Sequence, residues 1–140
     1  MSTPRGIRNN NPGNIDYNPA NAWQGQLKPD PAIEKRFARF DTPENGIRAL
    51  GKLLRTYQRK HGLKTVKAII SRWAPSLEND TTAYVRSVES KIPGVKSGAD
   101  VDVSSPLVMR AFVVAIIEHE NANYQYVASV IDEGVRRALA

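Results

Sequence analysis

Apolar residues recur at helical spacing along most of this chain. Between about 43 and 60, Ile47, Leu50, Leu53, Leu54 and Tyr57 share one face, the pattern of an amphipathic helix. Thr42 before Pro43 supplies an N-cap and a proline at the first helical position, and Gly62 stops the helix. A shorter helix over about 66–73 carries Val66, Ile69, Ile70 and Trp73, and Pro75 ends it. Another begins near Thr81, aligns Tyr84, Val85, Val88 and Ile92, and stops at Pro93-Gly94. Beyond a polar loop over 93–104, Ser105-Pro106 opens a run in which, from Leu107 to Ile117, only Arg110 is polar. A helix apolar nearly all round belongs at the centre of a fold. A last amphipathic helix places Val127, Val130, Ile131, Val135 and Leu139 on one stripe.

The first 35 or so residues break this rhythm. Asn9-Asn10-Asn11-Pro12-Gly13-Asn14 is turn chemistry, and the stretch Asn18 to Asp30, with Trp23, reads as loop or short hairpin. The pattern predicts a mainly α fold in one domain spanning 1–140: roughly five helices around a buried central one, with a loop-rich N-terminal segment.

Composition narrows the chemistry. Cysteine is absent, which excludes thiol catalysis, disulfides and cysteine-ligated zinc. His61 and His119 are too isolated for a histidine metal site, and no cofactor motif is present; Gly6 and Gly13 precede no Walker-type Gly-Lys-Ser/Thr. No apolar run approaches the roughly 20 residues of a membrane span, so membrane insertion is not expected. The start lacks the basic-then-apolar pattern of a secretory signal; synthesis in a host cytoplasm is expected, with delivery by other means to any target outside it. The net charge of +6 favours polyanionic partners without choosing among them.

Carboxylates offer the clearest candidate chemistry. Glycosidic cleavage needs a carboxylic acid still protonated near neutral pH. Burial and a helix C-terminus both favour the protonated form, and Glu118 and Glu120 stand where the apolar helix ends. Two positions apart is roughly 200° around a helix, so one cleft does not receive both, and periodicity does not choose between them. Solvated helix-end carboxylates fit the same pattern. Glu44 is a rival, but it falls in the first turn after a Thr-Pro cap, where the dipole lowers a carboxyl pKa. Trp23, Trp73 and Tyr84 suit sugar stacking and equally suit a core, the latter more so for Trp73.

Arg5-Gly6-Ile7-Arg8-Asn9-Asn10-Asn11-Pro12-Gly13-Asn14-Ile15 resembles the opening of a phage and prophage family of peptidoglycan hydrolases and virion-associated lysins. Later landmarks agree in order: Phe40-Asp41-Thr42-Pro43-Glu44, Gly46-Ile47-Arg48-Ala49-Leu50, Arg72-Trp73-Ala74-Pro75, Glu78-Asn79-Asp80-Thr81 with Tyr84, and Ile116-Ile117-Glu118-His119-Glu120-Asn121. In lytic transglycosylases and related glucosaminidases the helix ending in the catalytic Glu comes early; here its counterpart comes last. The resemblance therefore implies a circularly permuted lysozyme-type domain, tolerable where domain termini lie close together. It implies Glu120 as catalytic acid, Tyr84 beside it, and Asn9, Asn10, Asn11 and Asn14 lining the cleft; with Trp23 and Tyr84 as stacking surfaces, these are the expected substrate contacts. Asp80 is the best candidate for a second carboxylate. One departure stands out: the family pattern continues His-Glu-Asn-Gly, and position 122 is Ala.

The expected activity is cleavage of peptidoglycan glycan strands by a single acid, as a lytic transglycosylase or a muramidase, by a monomer needing no cofactor. A non-catalytic wall-binding or virion structural module is the alternative, supported by Ala122. A DNA-binding reading, with 65–73 as part of a helix-turn-helix, is disfavoured because Lys and Arg are scattered and the Asn-rich opening has no role in it.

Overall fold

A computed structural model describes residues 3–74 and 80–140. Its six helices are α1 (Arg5–Arg8), α2 (Pro43–His61), α3 (Val66–Trp73), α4 (Thr81–Ser90), α5 (Pro106–Glu120) and α6 (Ala128–Leu139). Among the described residues β-pairing is limited to isolated antiparallel bridges, at Asp16–Phe37, Gln26–Phe40 and Thr65–Asp100. The mainly α reading holds. Pro75, expected to end α3, and Glu78-Asn79 lie outside the described residues.

The helix boundaries follow local chemistry. The Thr42 hydroxyl accepts from the Asn45 amide ahead of Pro43, and Gly62 closes α2 in the left-handed region at φ 63°. Thr65 and Asp80 cap α3 and α4 in the same way, through the amides of Ala68 and Ala83. In α4 helical bonding ends at Ser90, before the expected Ile92. Two apolar positions were misplaced by periodicity. Val127 precedes α6 and is 68% exposed, so the buried stripe begins at Ile131 and continues through Gly134, Val135 and Ala138. Leu107, in the first turn of α5, is 53% exposed.

From Met109 onward α5 is the expected central helix. Met109, Ala111, Phe112, Val113, Ala115, Ile116 and Ile117 are buried, and α5 packs against α2, α4 and α6. The most extensive helix pairing joins α2 to α6. Gly134 lies against Ile47 and Gly51 against Ala138, so the two helices run in the same direction with little between them.

The N-terminal segment is a strap rather than a free loop. The amide of Ala38 donates to Ile15 O at 3.0 Å, and that of Tyr17 to Arg36 O at 3.0 Å. The Asn11 side chain sits inside this pairing: its Nδ2 donates to Ile15 O and Ala38 O, and its Oδ1 accepts from the Ile15 amide. The buried Glu34 carboxylate ties down the rest. It accepts from Arg5 at 2.5 and 2.7 Å, from Asn9 Nδ2 at 3.0 Å, and from the amides of Arg36 and Phe37.

Close approach at two glycines generates a stability prediction. A Cβ on Gly134 would strike the Ile47 side chain, whereas one on Gly46 would strike the Asn10 carbonyl of the strap. Gly134→Ala should cost about 1–3 kcal/mol, since a side chain can shift. Gly46→Ala should cost more, because backbone must move. Urea midpoints at unchanged slope will read both; equal losses would contradict the docking of the strap on α2.

Candidate functional site

At the end of α5 the chain leaves the core and meets the strap. Asn121 makes the junction: its buried Nδ2 donates to Ile117 O at 3.0 Å, within the last turn, and to Pro12 O at 2.7 Å. One residue earlier, the half-buried Glu120 carboxylate accepts from Asn14 Nδ2 at 3.3 Å. Asn14 reaches it from a left-handed backbone at φ 50°, a conformation asparagine tolerates better than most residues. Gly6 completes the contact, because a Cβ there would collide with the side chains of Asn121 and Asn14.

Glu120 opens into a cleft of about 450 Å³. Gly13, Asn14 and Asp16 of the strap form one wall, and Leu53 and Tyr57 of α2 with Trp73 of α3 form another. Burial raises the Glu120 pKa above the ordinary carboxyl value, and the Asn14 amide opposes that rise. The helix C-terminus acts in the same direction as burial. A carboxyl pushed toward protonation beside a polar cleft is suited to donate a proton to a bound oxygen.

Of the residues singled out from sequence, Asn14 and Glu120 meet in this cleft. Asn9, Asn10 and Asn11 do not face it through their side chains: Asn9 bonds Glu34, Asn10 donates to Phe40 O at 3.2 Å, and Asn11 fixes the strap pairing. Trp23 stands elsewhere, over Lys52, Arg55 and Arg59 of α2. Tyr84 is wholly buried behind Glu120, stacked on His119 at 3.9 Å between centroids, and has no surface to offer a sugar ring. Burial, then the Glu120 charge, push the pKa of its hydroxyl up, and the neighbouring Trp73 indole N–H opposes the rise. Trp73, for which a core role was the stronger expectation, is half-buried and lines the cleft.

Three other carboxylates near the site are engaged. Glu118 pairs with Lys91 at 3.3 Å. Asp80, expected as the second carboxylate, is the exposed cap of α4. Asp16, which sequence reasoning missed, does line the cleft, paired with Arg36 at 2.7 Å. Glu34 was missed too, since it meets Arg5 and Asn9 only through long-range folding. Arg5 chiefly holds its carboxyl well below the usual range against burial. Ala122, the departure from the Gly pattern, keeps a left-handed backbone at φ 52°, followed by Asn123 at φ 64°.

Fold and cleft together define a mainly helical domain with a protonatable carboxyl at the end of its central helix. No protein-family model matches the chain. It is 38% identical over 132 residues to Protein P5 of Pseudoalteromonas phage PM2, covering 93% of this chain and 79% of that protein. The chain therefore belongs to the family of that phage protein.

Ala in the left-handed region costs about 1–2 kcal/mol, offset by up to about 1 kcal/mol of extra chain entropy for glycine. Ala122→Gly should therefore raise stability slightly, by up to about 1 kcal/mol; a clear loss in thermal midpoint would contradict that geometry. The depressed Glu34 pKa stabilises the fold above the ordinary carboxyl value and is lost as pH falls through the folded one. Glu34→Gln should accordingly destabilise the protein at neutral pH, with a deficit that narrows in acid. Urea titrations at several pH values test this, and a pH-independent deficit would contradict it.

Proposed function

We propose that this chain cleaves the glycan strands of bacterial peptidoglycan, with Glu120 as general acid. The observation that carries the reading is the Glu120 carboxyl: half-buried at the end of the central helix, raised in pKa, and aimed into a polar cleft beside Asn14. The order of the motifs supports a permuted lysozyme-type domain, in which the strap supplies the wall that follows the acid-bearing helix. Membership in a phage protein family agrees with a wall-directed role, reached with a virion or a helper protein.

Glu120 protonates the glycosidic oxygen as the bond to the sugar's anomeric carbon breaks. In a lytic transglycosylase the C6 hydroxyl of the same sugar then closes on that carbon, returning its proton to the Glu120 carboxylate. In a muramidase, water takes that place. The transglycosylase route needs no second free carboxylate, and Asp16 is engaged by Arg36. Trp73 and Tyr57, packed at 6.3 Å, offer aromatic surface along the glycan path.

Glu120→Gln should lower lysis of purified sacculi by about 10²- to 10⁴-fold with the fold intact by circular dichroism. Glu118→Gln and Glu44→Gln should keep most activity. Because burial favours protonated Glu120, the parent loses stability as pH rises from the ordinary carboxyl range through the raised pKa. Glu120→Gln should therefore be the more heat-stable protein above that window and little different below it. Lysis at the parent's rate by Glu120→Gln would refute the assignment. A parent that binds sacculi and releases nothing would favour the non-catalytic module.

A further inference from the structure

Among the described residues five of the nine arginines outside α2 pair with carboxylates: Arg5 with Glu34, Arg36 with Asp16, Arg110 with Asp132, and Arg136 and Arg137 with Glu133. The long helix is different. Arg48, Lys52, Arg55 and Arg59 fall at i, i+4, i+7 and i+11, a straight stripe about 16 Å long, with Lys60 beside its end. Among the described residues none of these five forms an ion pair. Burial, then the charges of Arg48, Arg55 and Arg59, push the Lys52 ammonium below its usual pKa. The acid nearest along the helix, Glu44, stands one turn before Arg48.

The stripe also has a shape. The Lys52 ammonium and the Arg55 guanidinium donate to the carbonyls of Ala140 and Ala138, at 3.5 and 3.1 Å, which sets these two heads beside the end of α6. Trp23 closes the other side, leaving a groove of about 350 Å³ between its indole and Lys52, Arg55, Thr56, Arg59 and Lys60. This flank is separate from the Glu120 cleft, which α2 meets through Leu53 and Tyr57.

We propose that this face of α2 is a second binding surface, docking the protein peripherally on an anionic phospholipid headgroup layer. A row of cations along one helix face, none of them in an ion pair among the described residues, is drawn to a plane of phosphates. An indole at the edge of such a row, apolar with one polar N–H, suits the headgroup level. No described helix is long and apolar enough to cross a membrane, so the attachment is superficial. Single-stranded nucleic acid fits less well, because it needs successive stacking aromatics; the groove has Trp23 alone, half-buried against the core. Duplex DNA fits less well because a recognition helix presents its N-terminal residues, and Asn45 and Gly46 of α2 are buried.

The test is co-sedimentation of the full chain at low salt with phosphatidylcholine vesicles, with or without about 30% phosphatidylglycerol. Binding should require the anionic lipid and weaken with salt. Lys52→Gln/Arg59→Gln/Lys60→Gln should lower affinity about 100-fold, roughly fivefold per cation. Arg59→Gln/Lys60→Gln, which touches only exposed side chains, should lower it about 25-fold. Lys35→Gln/Lys67→Gln/Lys96→Gln removes the same charge off the stripe at exposed sites and should stay within about fivefold of the parent. Circular dichroism checks each fold. No preference for anionic vesicles, or equal loss in the two triple variants, would overturn the proposal. So would short single-stranded or duplex DNA that binds more tightly than the vesicles and depends on the same stripe.

Discussion

The side-chain amide of Asn121 is the contact on which the rest of the site depends. Its Nδ2 group holds two carbonyl oxygens at once, one from the last turn of α5 and one from Pro12 of the strap. Ile117 O also accepts the Asn121 backbone amide, so the bond that matters most is the one to the buried Pro12 O, which ties the strap over the end of the central helix. Leaving such a buried group unsatisfied costs about 1–3 kcal/mol. Because the bond crosses from one end of the sequence to the other, it sets where Asn14 stands, and so how far Glu120 is shielded from water.

A second anchor lies at the far end of the strap. Glu34 gathers Arg5, Asn9 and two backbone amides around one buried carboxylate. Glu34 and Glu120 divide the two states of a carboxyl between them. Glu34, paired with a guanidinium, stays ionised and structural; Glu120, half-buried with one neutral amide donor, is pushed toward protonation. Their environments, not their residue type, separate them. The asparagine run shows the same division, with Asn9, Asn10 and Asn11 spent on the scaffold and Asn14 on the carboxyl.

Much of the helical frame was legible because it rests on local signals. Thr42-Pro43, Gly62 and Ser105-Pro106 mark helix ends through caps and fixed dihedrals, and the apolar run from Met109 to Ile117 marks the centre. Periodicity misjudged Val127 and Leu107, since it does not register where a neighbouring element stops. The site was legible only in part. Glu118 and Glu120 are equivalent by pattern; what distinguishes them is tertiary, Lys91 against one and Asn14 against the other. The strap was read as turns, yet its bonds to Glu34 and Asn121 span distances along the chain that no window of sequence reports. The cations of α2 read as scattered although their i, i+4, i+7 spacing is local; what the spacing does not report is that Trp23 and the end of α6 flank them.

Mass spectrometry of the soluble products from purified sacculi tests the central claim most directly. The account predicts short glycan fragments with stem peptides intact, ending in anhydro-sugars if the C6 hydroxyl attacks and in reducing ends if water does. Cut stem peptides with unbroken glycan strands, or no soluble fragments from a folded protein, would contradict it.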